Sequence, residues 1–334
     1  MSQPLPVPAV VPFPVDDLAG DAFADAVRRG LAQPQKVIPA RFFYDSQGSE
    51  LFEAITDLAE YYPTRTEIAI LTDHAADIAA AVGPGRVVIE FGSGSSVKTP
   101  LLLRAVAPAA YVPVDISATF LHQSAAALAA DFPDLDVVPV AADFTAPFRV
   151  PTQVASLPRL GFFPGSTIGN LAPTAAIDLL RGFADTLGPH SWLVIGFDLA
   201  PGPGKSPAVL EAAYDDAQGV TAAFNRNLLH RINRELGGTV RVDDFRHRAV
   251  WNADLGRIEM HLVALCDTGF TAAGRAYGLV AGEHIHTENS YKWTLPEARL
   301  LARAAGWRPA AVWTDVDARF SLHLWAVDPG TMQP

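Results

Sequence analysis

Two kinds of hydrophobic pattern run along the chain, and the change between them marks its parts. From Asp16 to Leu31, Leu18, Phe23, Val27 and Leu31 recur at helical spacing and predict an amphipathic helix. A second helical stretch lies within Arg41 to Ile55, after Tyr44-Asp45-Ser46. Tyr61-Tyr62-Pro63-Thr64-Arg65-Thr66-Glu67 reads as a loop closing into a helix, with Thr64 or Thr66 as its cap. Short, nearly continuous apolar runs follow: Arg86 to Phe91, Tyr111 to Asp115, Asp136 to Ala141, Leu160 to Phe163 and Trp192 to Phe197. Runs of this kind are strands buried on both faces. Helical stretches separate them, Thr99 to Ala107, Ser117 to Ala130 and one within Pro173 to Leu187. The alternation predicts a parallel α/β sheet with right-handed crossovers.

After Asp198 the alternation stops at Pro201-Gly202-Pro203-Gly204. One long helical stretch is expected from Pro207 to Glu235, then strands at Arg246 to Asn252, Arg257 to Cys266 and Gly282 to His286. Thr294 to Ala305 returns to helix, and Trp307 to Thr314 and Phe320 to Val327 supply a last pair of sheet strands. The expected architecture is an α/β domain over residues 64–201 and 292–334. Residues 202–291 interrupt it and join residues 1–63 in a second, α+β domain. The first fifteen residues carry Pro4, Pro6, Pro8, Pro12 and Pro14, which suit an extended arm and not a signal peptide.

With 334 residues, 49% of them hydrophobic, the chain has material for a sizeable core. A net charge of -11 without a Lys/Arg run gives no footprint for nucleic acid or an anionic membrane. No apolar run approaches the ~18 residues of a membrane-spanning helix. Cys266 is the single cysteine, so no disulfide framework forms within the chain. It is expected as a small apolar strand residue and fits a reducing cytoplasm. The acidic balance and the lack of a coiled-coil pattern are compatible with a monomer. His284 and His286 share one strand face without an evident third ligand, so no metal is expected.

The strongest chemical signal is Val87 to Gly94, where a strand ending in Glu90 runs into Gly92-Ser93-Gly94. Glycines permit a tight turn and close approach of a ligand to the backbone. Ligands of open α/β sheets bind at the carboxyl ends of the strands. Asp115 ends the second strand and Asp143-Phe144 follows the third. The first acid can accept from ribose hydroxyls; the second acid and the ring can meet an adenine amine and its ring face. This set suits S-adenosylmethionine. A nicotinamide dinucleotide would ask for G-x-G-x-x-G, and here Ser95, Ser96 and Val97 follow Gly94, so the third glycine is missing.

Longer motifs carry a family resemblance. They are Phe43-Tyr44-Asp45, Glu60 to Glu67, Gly92-Ser93-Gly94, Gly165 to Leu171, Tyr214-Asp215-Asp216, Gly219 to Asn227 and Arg257-Ile258-Glu259-Met260. Through these blocks the chain resembles, from Lys36 to Leu324, the histidine-specific Nα-methyltransferases that begin ergothioneine biosynthesis. The resemblance implies a Rossmann-like class I methyltransferase domain with a second, α+β substrate-binding domain. It implies trimethylation of the α-amino group of L-histidine to its betaine, hercynine. Gly92, Ser93, Lys98, Asp115, Asp143 and Phe144 would then line the cofactor site. Tyr61, Asn170 and Tyr214, with Gly165, would hold the amino acid's backbone groups. Tyr44, Met260, Glu288 and Ser290 would surround the imidazole. Tyr44, Tyr61, Asn170 and Tyr214 would serve the reaction itself.

Residue chemistry agrees with these roles. Tyr hydroxyls and an Asn amide suit a zwitterion, and a carboxylate with a nearby Ser suits two ring nitrogens. No residue reads as the base for the amine, so water or a Tyr hydroxyl relay is expected. The chain departs from the family at Val97, where an acid is usual, and at Tyr291-Lys292-Trp293. Two alternatives share the fold. One is a methyltransferase for another amino acid such as tryptophan, whose indole has no need of Glu288 with Ser290 two positions on. The other is a ligand-binding protein without turnover.

Overall fold

The computed structural model describes residues 16–94 and 97–327, with side chains from residue 22 onward at the amino-terminal end; the proline-rich arm lies outside them. In chain order the elements are helix α1 (Asp16–Leu31), strand β1 (Lys36–Val37), α2 (Ser46–Thr56) and α3 (Tyr62–Val82). Then come β2 (Val87–Phe91), α4 (Thr99–Val106), β3 (Ala110–Asp115), α5 (Ala118–Asp131), β4 (Asp136–Val137) and β5 (Val140–Ala141). β6 (Arg159–Phe163), α6 (Pro173–Leu187) and β7 (Trp192–Asp198) complete the first run. After it lie α7 (Pro207–Tyr214), α8 (Val220–Leu236), β8 (Phe245–Asn252), β9 (Arg257–Ala264), β10 (Thr268–Ala272), β11 (Arg275–Leu279) and β12 (His284–Tyr291). The chain closes with α9 (Leu295–Ala304), β13 (Trp307–Thr314) and β14 (Phe320–Val327).

The large sheet has the order β13-β14-β7-β6-β2-β3-β4, with β5 beside β3. Strands β2 to β7 pair in parallel, while β14 runs antiparallel to both β7 and β13. This is the arrangement of a Rossmann-like class I methyltransferase. The strands read as apolar runs because both faces are covered. Val87, Ile89 and Phe91 point into one cluster with α6 and α9, and Val88 points into the other with α3 and α4. Thr294 and Glu297 form a capping box at the start of α9.

A second sheet has the order β1-β12-β9-β8, antiparallel except where β1 joins β12. Its inner face, with Ile258, Met260, Leu262 and Ile285, packs on α1, α2, α7 and α8 in a separate core. The pairing of β12 with β9 slips between His286 and Glu288. Up to that bulge, Ile285 faces inward; beyond it, Glu288 pairs with Met260 and Ser290 with Ile258 on the inner face. The extra residue, Thr287, donates its hydroxyl to the Met260 carbonyl (3.0 Å). The bulge re-aims the far half of the strand, so that Glu288 and Ser290 enter the interior.

Several expectations are corrected. Neither Thr64 nor Thr66 caps α3: the helix begins at Tyr62, Tyr61 holds the cap position without a side-chain bond, and Thr66 donates back to the Tyr62 carbonyl (2.8 Å). The single helix expected over Pro207 to Glu235 is two, parted at Gly219 (φ +75°), and Asp216 caps the second through Val220 N and Thr221 N. The strand expected at Asp136 to Ala141 splits around Val138 and Pro139, the latter having no N–H to give the ladder. Cys266 is exposed, beyond the end of β9. The β10–β11 hairpin turns through Ala273 (φ +49°) and Gly274 (φ +77°), without the Asn or Asp that usually announces such a turn.

Candidate active site

The site is built from two half-sites, one at the carboxyl ends of β2 and β3 and one on the inner face of the small sheet. On the first, Gly92 has φ +75° and donates its N–H to the Val114 carbonyl (2.8 Å). A Cβ there would lie 3.1 Å from Phe144 Cε1, so glycine lets that ring close over the loop. Ser93, buried beside it, donates its N–H to the same Val114 carbonyl. Asp115 accepts from Gly94 N and Ser117 N, each at 3.0 Å. Asp143 Oδ1 accepts from Thr145 N (2.9 Å) and Thr145 Oγ1 (2.5 Å). Each carboxylate keeps lone pairs for a ligand's hydroxyl or amine groups.

The strand-end acid Glu90 is not part of this surface. It is buried and accepts from Thr99 Oγ1 (2.7 Å) and Tyr111 Oη (2.6 Å), and burial lifts its carboxyl to about 7. Lys98 is held by Glu67 Oε2 at 2.6 Å, an oxygen that also accepts from Gly165 N (2.8 Å). Glu67 thereby ties the cofactor-side loop to the loop of the other half-site. Two open carboxylates, an aromatic ring and a loop whose cation is already neutralised fit an adenosyl sulfonium better than a pyrophosphate.

The second half-site is a cavity with about 500 Å³ of space not filled by protein atoms, part of it open to solvent. Tyr44, Tyr61, Gly165, Asn170, Tyr214, Met260, Glu288 and Ser290, all named from the sequence, line it together. Tyr44 follows a short 3-10 turn, and its neighbour Asp45 caps α2 through Gly48 N (2.8 Å) while pairing with Asn227 and Arg234 of α8. Tyr61 precedes α3. Asn170 ends a turn after Gly165 and the left-handed Ser166, whose hydroxyl accepts from Asp198 N (2.9 Å). Tyr214 ends α7, where His247 Nε2 donates to its carbonyl (2.8 Å). Phe52 and Phe224 complete an aromatic wall, with Tyr44 edge-on to both and Tyr61 edge-on to Tyr214 at 6.1 Å.

The electrostatics of this cavity are distinctive. The carboxylate of Glu288 and the side chains of Tyr44, Tyr61 and Asn170 have no hydrogen-bond partner among the described residues, so they are available to a guest. Burial raises the Glu288 carboxyl to about 7, with Lys292 opposing. Burial first, then Glu288 for Tyr44, Tyr214 for Tyr61 and Asp198 for Tyr214, holds these three phenols well above their ordinary range. These phenols are therefore neutral donors and acceptors, not ionised bases.

Three charged residues beneath the cavity were not expected from the sequence. Asp198 is buried and holds Lys205 Nζ at 2.6 Å and Lys292 Nζ at 2.7 Å, and it accepts from Tyr62 Oη (2.7 Å). Lys292 continues to Tyr214 Oη (2.9 Å) and Ser290 Oγ (2.8 Å). The available signal was the alternation of Glu288, Ser290 and Lys292, which puts all of them on one strand face. On the opposite face β9 places His261 beside His284 and His286, with ring centroids 4.6 and 4.9 Å away, supplying the third histidine that the sequence did not show. Among the described residues no cluster of His, Cys, Asp and Glu is arranged to hold a metal ion.

The chain is 42% identical to a histidine N-alpha-methyltransferase of Mycolicibacterium smegmatis, covering 92% of this chain and 97% of that protein. A protein of the same name from Mycobacterium tuberculosis is 39% identical over 92% of this chain and 97% of its own length. An ergothioneine biosynthesis protein 1 of Neurospora crassa is 31% identical over 86% of this chain, which spans 33% of that longer protein. The family described as histidine-specific, SAM-dependent methyltransferase matches residues 23–327. With that match spanning both half-sites, the chain belongs to the S-adenosylmethionine-dependent, histidine-specific methyltransferases.

Proposed function

We propose that this protein methylates the α-amino group of L-histidine three times, giving the betaine hercynine, as the first step of ergothioneine biosynthesis. The observation that carries the reading is the bulged end of β12, which turns Glu288 and Ser290 together into an aromatic-walled cavity. One partner that accepts and one that donates suit the two nitrogens of a neutral imidazole. The reading assigns cofactor binding to residues 64–201 and 292–334. Amino-acid binding belongs to residues 1–63 and 202–291, joined at the cavity by Gly165 and Asn170.

Gly92, Ser93, Asp115, Asp143 and Phe144 would hold S-adenosylmethionine, with Lys98 bracing the loop through Glu67. When bound, that group supplies a sulfonium methyl that an amine lone pair can take. The chain's own residues orient the amine. Asn170 and Tyr61, with their polar groups unspent, hold the ammonium and carboxylate end, and Tyr214 closes that side. Proximity and alignment of this kind are worth about 7–11 kcal/mol of the barrier. The amine's proton leaves through water or along the hydroxyls, since the phenols stay protonated. Met260 and Phe224 exclude water from the ring.

No described helix is long and apolar enough to cross a membrane. An exposed lone cysteine suits a reducing compartment, and we assign the enzyme to the cytoplasm, acting as a monomer. Titration calorimetry in the presence of S-adenosylhomocysteine tests the substrate. Histidine is expected to bind, and tryptophan, which leaves Glu288 and Ser290 poorly matched, to bind at least ~100-fold more weakly. Tighter binding of tryptophan would overturn the assignment.

A further inference from the structure

Lys292 has no part in the reading above, yet it touches two of the groups that do. An ammonium has three N–H donors and no acceptor. Lys292 directs them to Asp198 Oδ2 (2.7 Å), Tyr214 Oη (2.9 Å) and Ser290 Oγ (2.8 Å). Both hydroxyl oxygens therefore accept from Lys292. They also lie 2.8 Å from each other, so one of these hydroxyls donates to the other. One proton of the pair is used in that bond and one is left. Tyr214 and Ser290 both line the cavity, so the remaining proton is offered to its contents.

We propose that Lys292 is a positioning residue for substrate recognition: it makes Tyr214 and Ser290 a one-proton donor, so the cavity selects a hydrogen-bond acceptor there. Two groups of the amino acid fit, the carboxylate and the unprotonated ring nitrogen. Of the two buried ammonium groups that Asp198 holds, Lys205 and Lys292, it is Lys292 that donates to hydroxyls lining the cavity. The Lys205 ammonium is itself fully engaged, by Asp198, Tyr62 Oη (3.1 Å) and the Arg319 carbonyl (2.8 Å). Lys292 is thus the cation of the pair that reaches the substrate's contacts. The period-2 placement of Glu288, Ser290 and Lys292 means that β12 carries the acceptor and the donor, and the residue just past its end orients the donor.

The proposal rests on the histidine reading and is tested with Lys292→Met, which removes the donors and keeps the stem. Binding of histidine and of histamine, which lacks the carboxylate, is measured by calorimetry with S-adenosylhomocysteine present. Binding of S-adenosylhomocysteine itself and the melting temperature are measured alongside. Histidine affinity is expected to fall at least ~10-fold, as for a lost hydrogen bond to a charged or buried group, with S-adenosylhomocysteine affinity held within about two-fold. Equal losses for histidine and histamine support the proposal with the ring nitrogen as acceptor. A loss confined to histidine supports it with the carboxylate. In a Tyr214→Phe/Ser290→Ala background, Lys292→Met should have little further effect, which a purely structural role would not produce. Lys292→Gln keeps a donor for Asp198 and serves as the second variant, with the same expectation. Histidine affinity within two-fold of wild type, or a loss that persists in the hydroxyl-free background, overturns the proposal. A wild-type protein that binds no histidine overturns the functional reading as well, and so is told apart.

Discussion

Replacing Glu288 by glutamine separates what the carboxylate costs the fold from what it does for the substrate. The side chain is buried at the cavity wall, and burial moves its carboxyl from 4.5 to about 7. A displacement of that size penalises the ionised form in the folded protein by about 3 kcal/mol. The folded-state value is raised, so the folded protein binds the proton more tightly than the unfolded chain. The group therefore costs nothing below about pH 4.5, and stability is lost as pH rises toward and through 7. Glutamine does not titrate. The unfolding free energy of Glu288→Gln should match wild type near pH 4 and exceed it increasingly up to pH 8, by up to about 3 kcal/mol. Denaturant unfolding of both proteins without ligand at several pH values measures the difference, in which the other titrating groups cancel. Histidine affinity should move the opposite way and fall about 10–100-fold, the worth of a hydrogen bond to a charged group. A stability difference that does not change with pH, or unchanged histidine binding, would refute the reasoning.

Other substitutions probe separate parts of the site. Asp198→Asn leaves two buried ammonium groups with no carboxylate, and unfolding free energy in urea should drop by about 3–5 kcal/mol. Asp115→Ala removes an acceptor from the strand end and should weaken S-adenosylhomocysteine by about 10–100-fold in calorimetry, while the lost bonds from Gly94 N and Ser117 N cost about 1–3 kcal/mol of stability. Gly92→Ala puts a side chain at φ +75° and 3.1 Å from Phe144. It should cost about 1–3 kcal/mol of stability and lower cofactor affinity together, read by thermal unfolding and calorimetry. Asn170→Ala, which removes an amide from the cavity without disturbing a core contact, should lower kcat/KM for histidine by about 10–100-fold in steady-state assays.

The large sheet was legible because its strands are buried on both faces and read as unbroken apolar runs, with helices of ordinary length between them. β6, β13 and β14 fall where the pattern put them, to within a residue. The failures have local causes. Ala273-Gly274 turns a hairpin with no Asn or Asp to mark it, and one helix ends at Tyr214 before Asp216 caps the next, inside a continuous helical pattern. The residues lining the cavity were named through long motifs and, for Glu288 and Ser290, through the family resemblance those motifs carry, but how they meet was hidden. Simple alternation from Ile285 would have pointed Glu288 outward; a one-residue bulge at Thr287 turns it in. Nor does spacing show that Asp198, Lys205 and Lys292 converge, since segments far apart in the chain bring them together. Cys266 was misplaced because one cysteine beside an apolar strand carries no signal of where that strand ends.

The central claim is that the cavity lined by Glu288 and Ser290 holds histidine with its α-amine presented for methylation. Mass spectrometry of the purified protein incubated with S-adenosylmethionine and all twenty amino acids together tests this most directly. A gain of three methyl masses on histidine alone is the predicted result. Methylation of a different amino acid, or no methylated product while the cofactor still binds, would contradict it.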